Sequence, residues 1–137
     1  MVALTADRNT PRREGDDLVY PMAANVTIFA GALVMLNAAG DATRGAAATG
    51  QIAVGCAQEA KTNGAVAAAE SIRVRPGVFR WANSSAGDLI TKAHIGDDCF
   101  IVDDDQVALT NGSATRSVAG KIVDVDALGV WVLIGIR

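Results

Sequence analysis

The chain has 137 residues and carries 15 Asp and Glu against 12 Lys and Arg, a net charge of −3. That length suits one domain with a real core, and the mild negative balance argues against nucleic acid, which selects clustered Lys and Arg. Half of the residues are hydrophobic but only 4% are aromatic, so small side chains must fill the core. A thin core of Ala and Val leans on neighbours, and a homo-oligomer is expected.

Residues 1 to 17 form a segment of their own. Asp7, Arg8, Arg12, Arg13, Glu14, Asp16 and Asp17 crowd it, and only Val2 and Leu4 are strongly apolar. It reads as an extended arm without a core. Two accounts stay open: a frayed terminus, or an arm that orders on a partner by adding a strand to its sheet. No apolar stretch of signal-peptide length appears there.

Residues 18 to 137 read as a single barrel-like β domain. Leu18 to Pro21 starts the body. Val26 to Phe29 and Ala32 to Leu36 predict two strands with Gly31 between them, and Ala38 to Asp41 predicts a turn. Thr43 to Gly50 is small and loop-like. Gln51 to Ala57 predicts a strand, and Lys61 to Ala69 a loop or short helical turn interrupted by Asn63-Gly64. Ala23 to Gly40, the longest apolar region, is broken by Asn25, Thr27 and Asn37, so it does not read as a membrane span.

The second half is more regular. Ile72 and Val74 alternate with Arg73 and Arg75, Pro76-Gly77 turns the chain, and Val78 to Trp81 resumes a strand. Thr91 can cap one helical turn that ends at Gly96. Cys99 to Val102 is an apolar run closed by Asp103-Asp104-Asp105, and Val107 and Leu109 alternate before Asn111-Gly112. The last strand, Val130 to Ile136, is apolar on both faces. Val130, Val132, Ile134 and Ile136 point one way, Trp131 and Leu133 the other. Trp131 lies either inside a central strand between two packed layers or at a subunit contact. The pattern predicts a mainly β chain: a small antiparallel barrel or sandwich, an extended N-terminal arm, and one or two short helical turns.

The chemistry of catalysis is sparse. His94 is the one histidine, beside Lys92 and near Asp97 and Asp98, and it reads as a surface residue. Asp103-Asp104-Asp105 lacks the alternating ligands of a calcium loop, and Asp124 to Gly129 lacks its third ligand and closing Glu. These carboxylates read as turn residues, and neither a resident metal nor a cofactor is expected. Ala119-Gly120-Lys121 is not a phosphate loop, because Thr115 and Ile122 stand where Gly and Ser or Thr are required. Arg73, Arg75 and Arg80 are the one patch that could meet single-stranded nucleic acid. Phe79 and Trp81 fall on the face opposite Arg80, so a stacking platform is not expected. Cys56 and Cys99 sit in apolar runs without a Cys-x-x-Cys pair and read as buried thiols of a reducing compartment.

Three stretches carry a resemblance that covers nearly the whole chain. They are LTADRNTPRREGD from Leu4, VRPGVFRWANSSAGDLITKAHIGDDCFIVDDDQVA from Val74, and VAGKIVDVDALGVWV from Val118. Together they resemble the capsid cement, or head decoration, proteins of tailed phages and prophages. The resemblance implies a non-enzymatic structural protein that binds the outside of an expanded head shell, often as a trimer, and stabilises it. The implied partner is the major capsid protein, with no membrane and no nucleic acid. The implied location is the outer surface of the virion after synthesis in the bacterial cytoplasm. By resemblance the shell contact falls on Leu4, Thr5, Asp7, Arg8, Asn9, Thr10, Pro11, Arg12 and Arg13. Another phage structural role, in a tail or as a head-fibre adaptor, is the alternative. A single-stranded nucleic-acid-binding barrel is the third reading.

Overall fold

Alternating burial along short segments builds the fold. The computed structural model describes residues 3, 5, 6 and 16–136. A first five-stranded sheet contains β1 (Leu18–Pro21), β3 (Leu33–Leu36), β4 (Ala42–Arg44), β5 (Ile52–Ala57) and β7 (Ser71–Arg75). A second contains β8 (Gly77–Trp81), β9 (Asp98–Asp103), β10 (Gln106–Ala108), β11 (Val118–Asp126) and β12 (Gly129–Ile134). A small ribbon pairs β2 (Thr27–Ile28) with β6 (Lys61–Thr62). All of these ladders are antiparallel. Two 3-10 turns, Ala86–Asp88 and Lys92–His94, supply the helical content, with Thr91 at the start of the second as expected. No helix among the described residues is long and apolar enough to cross a membrane.

The sheets stack because β3 and β5 are apolar on both faces. Val34 and Val54 join Met22, Ile28, Ile72 and Val74 in one cluster under the β2–β6 ribbon. Leu33, Met35, Ala53 and Cys56 point the other way, onto Trp81, Ile101, Ile122, Val130, Val132 and Ile134 of the second sheet. Each aliphatic side chain so buried contributes ~1.5–3 kcal/mol. The two edges of each sheet touch at one bridge, Met22 with Ala42 and Ala82 with Gln106. They do not pair along their length, so the architecture is a sandwich of strongly curled sheets and not a closed barrel.

The two sheets share one topology. The first runs β1-β7-β5-β3-β4 and the second β8-β12-β11-β9-β10. Read in chain order, the first strand pairs with the last in each, and the same hairpin closes the far edge. Hydrogen bonds repeat with it. Gly31 N–H donates to the Ala57 carbonyl at 2.9 Å, and Gly96 N–H to Ile122 at 2.8 Å. Ala57 N–H donates to Ala32, and Ile122 N–H to Asp97, both at 2.9 Å. From Gly31 to Ala57 the two halves match at one constant offset along the chain. The matching glycines Gly31 and Gly96 hold φ of 88° and 94°, which favours the residue without a Cβ.

Some elements differ from expectation. The strand expected over Val26 to Phe29 is only Thr27–Ile28, and Phe29 is 64% exposed where the chain turns into Gly31. Ile136, expected to point the same way as Val130, Val132 and Ile134, is 63% exposed while those three are buried. Gly135, with φ of 119°, turns the chain after β12 and reverses its facing.

Candidate interaction surfaces

Asp17 immediately precedes the edge strand β1, which pairs with β7. On β7, Arg73 and Arg75 are two residues apart and therefore share the outward face. Asp17 Oδ1 lies 2.7 Å from Arg75 Nε, and its Oδ2 lies 3.6 Å from Arg73 Nε. The hydrogen bond to Asp17 raises the Arg75 guanidinium further above its already high range. Ion pairs this exposed contribute little to stability. Of the nine residues implied as shell contacts, Thr5 alone is among the described residues, and it is exposed. Leu4, Asp7, Arg8, Asn9, Thr10, Pro11, Arg12 and Arg13 lie outside them.

Trp131 lies on the outward face of the second sheet. Its strand β12 sits between β11 and β8, and only its inner face packs on the core. The reading of β12 as a strand between two packed layers therefore gives way to one packed face and one outer face. Trp131 is half-buried there by its own neighbours. Its indole Nε1 donates to Asp126 Oδ2 at 2.9 Å, and the Arg80 guanidinium stacks 5.5 Å from the ring centroid. Asp126 also accepts the Leu128 and Gly129 N–H groups, which makes the β11–β12 turn. The Trp131 hydrogen bond, then that of Leu128, holds its carboxyl below the usual range.

One apolar surface is not legible in the sequence. Ile52, Val118, Leu133 and Ile136 border a groove of about 300 Å³. Ile52 is 54% exposed and Val118 43%. Apolar residues at outward positions of alternating strands were its signal, but Ile52 comes from the other sheet and cannot be joined to the rest by spacing.

Several other titratable groups serve the turns. His94 Nδ1 accepts the Thr91 N–H at 3.0 Å, and the His94 N–H returns to the Thr91 carbonyl. The carboxylates of Asp103, Asp104 and Asp105 lie within 4.8 Å of one another at the β9–β10 hairpin. Burial and then the neighbouring Asp103 push the Asp104 carboxyl up, while Arg44, at 3.7 Å, opposes them. Cys56 and Cys99 are free and buried, and burial pushes the Cys99 thiol up to about 12. Arg73 and Arg75 share the Asp17 carboxylate on one sheet, and Arg80 stacks on Trp131 on the other. Trp81 is buried in the core and Phe79 packs against it, so neither ring joins these arginines in one platform.

No protein-family model, curated protein or solved structure matches this chain.

Proposed function

We propose that this chain is a non-enzymatic cement protein of a tailed phage, which binds the outside of the expanded head shell through residues 1–17 and stabilises it. The observation that carries the reading is the arm junction. The charged N-terminal segment runs directly into an edge strand, and Asp17 is clamped there by Arg73 and Arg75. Anything the arm grips is thereby tied to a rigid sandwich, so binding pays ordering entropy mainly in the arm. Several copies on one shell add avidity without strong single contacts. An arm whose site exists only on the expanded shell stabilises that state by its difference in affinity for the two states.

The partner in this proposal is the major capsid protein, and the copies act as a homo-oligomer, a trimer in the resemblance. Neither a cofactor nor a catalytic residue enters it. Pelleting the protein with expanded and unexpanded heads of the encoding phage tests it. Binding to tails in place of heads would favour the adaptor reading. Salt-sensitive binding to oligonucleotides, weakened by removing Arg73, Arg75 and Arg80, would favour the nucleic-acid reading.

A further inference from the structure

We infer that Asn111 is a site of spontaneous modification, at which the side chain closes onto the Gly112 amide nitrogen, loses ammonia and reopens as aspartate or isoaspartate. The inference stands without the cementing proposal. The chain contains the Asn-Gly dipeptide twice, at Asn63-Gly64 and at Asn111-Gly112. In both, the following residue has no Cβ to crowd the ring. The fold holds the two asparagines in opposite ways, and the difference falls on the atoms that react.

Asn63 is kept in its amide form. It is 1% exposed. Its Nδ2 lies 3.1 Å from the Met22 carbonyl oxygen and 3.0 Å from those of Ala23 and Val66, so the nitrogen that would have to leave is the one the fold binds. Its Oδ1 is buried without a hydrogen-bond partner, so negative charge building there would go unstabilised. Asn111 is the reverse. It is exposed in the loop between β10 and β11. Its Oδ1 accepts the Ala114 N–H at 3.1 Å, which places a donor on the oxygen that turns anionic as Cγ is attacked. Its Nδ2 makes no hydrogen bond among the described residues and can leave into water. The Gly112 N–H makes a long bond, 3.4 Å to Thr110 Oγ1, so its nitrogen is weakly held.

The step balances with water as its only co-reactant. A solvent base takes the Gly112 N–H proton, the nitrogen bonds to Asn111 Cγ, and the Cγ–Nδ2 bond breaks to release ammonia, which takes a proton back from solvent. Water then opens the ring. Cleavage at Cγ gives aspartate, and cleavage at the Asn111 main-chain carbonyl gives isoaspartate. Nothing is oxidised or reduced. Either product adds a negative charge to the loop. Isoaspartate also reroutes the backbone through the former side chain, and the turn depends on the present route. The Thr115 and Arg116 N–H groups donate to the Asn111 carbonyl at 2.9 and 3.1 Å, and Gly112, Ser113 and Ala114 hold φ of 62°, 63° and 65°. That left-handed conformation is unfavourable for Ser and Ala, so loss of the two bonds releases the turn.

Incubation of the folded full chain at mildly alkaline pH tests the inference, read by peptide mapping with mass spectrometry and an isoaspartate-specific methyltransferase. Asn111 should convert at least about tenfold faster than Asn63, with both aspartate and isoaspartate formed. In urea the two sites should convert at similar rates, since unfolding leaves only the dipeptide they share. Asn111→Gln, whose longer side chain would have to close a larger ring, should abolish the conversion in the folded chain. An Asn111 that stays intact in the folded chain while the unfolded chain converts overturns the inference. Equal rates at Asn111 and Asn63 in the folded chain overturn it as well. Because the measurement contains no heads, failure of the cementing proposal leaves it intact.

Discussion

Gly55 and Gly120 occupy the same place in the two halves of the fold. A Cβ on Gly55 would lie 2.3 Å from the Arg75 carbonyl oxygen, and one on Gly120 would lie 2.1 Å from that of Leu133. Each glycine sits beside a break in register between the paired strands, where the inner strand bends beneath its neighbour. The curl of each sheet depends on that close approach of two backbones.

Gly55→Ala and Gly120→Ala should therefore each destabilise the fold by about 3 kcal/mol, because backbone must move in both. Urea denaturation of the two variants checks this. If either alanine variant keeps the wild-type midpoint, the close approach at that site is not a constraint.

The same pair shows how far the sequence could be read. The strands from Ser71 onward were legible, because Ile72 and Val74 face in while Arg73 and Arg75 face out, and Asp126 marks the last turn. The repeat was not. Gly31 with Gly96 and Gly55 with Gly120 keep their identity, but Leu33 stands opposite Asp98 and Cys56 opposite Lys121. One face is buried within the chain and the other meets water, so selection for the same backbone leaves opposite polarities. The arm clamp was hidden for another reason: Asp17 is one of many charges near the N-terminus, and only the β1–β7 pairing brings it to Arg73 and Arg75. The groove needed Ile52 from the first sheet beside Val118 from the second, which no local pattern encodes.

Acid should unfold the protein through its turns. Hydrogen bonds from the Thr110 hydroxyl and Arg116 lower the Asp88 carboxyl, and those from Lys92 and the Val125 N–H lower Asp124. Asp126 is lowered chiefly by Trp131. A depressed folded value contributes stability that is complete above the unfolded value of about 3.9 and is lost as pH falls through the folded values. Asp104 is raised by burial, so its folded form takes up a proton first and acidification near its own titration favours the fold. Thermal midpoints should hold or rise slightly as pH falls toward the unfolded Asp value of about 3.9 and fall below it. Asp104→Asn should remove the rise and Asp88→Asn should make the fall shallower. A midpoint that declines steadily from neutral pH would contradict this assignment.

Neither cysteine should react while the chain is folded. Both thiols are buried, and that of Cys99 is pushed up to about 12, where almost no thiolate exists at neutral pH. A chromogenic disulfide reagent should label both only on unfolding, at the rate of global opening. Fast labelling of Cys99 in native buffer would show that the second sheet opens locally.

Asp17→Ala should leave the unfolding midpoint close to that of the wild type, since its pairs with Arg73 and Arg75 are exposed. On the cementing proposal it should nevertheless weaken shell binding severalfold, because the arm then leaves β1 without a fixed direction. Unchanged occupancy on heads would remove the clamp from the binding account.

On the cementing proposal, the arm binds an expanded shell and the sandwich secures it there. Purified protein, full-length and lacking residues 1–15, should be mixed with expanded and unexpanded heads of the encoding phage and pelleted. Saturable pelleting of the full chain with expanded heads alone, lost on deletion while circular dichroism stays that of a folded β protein, is the result predicted. Binding to neither form of head, or full occupancy by the shortened chain, would contradict it.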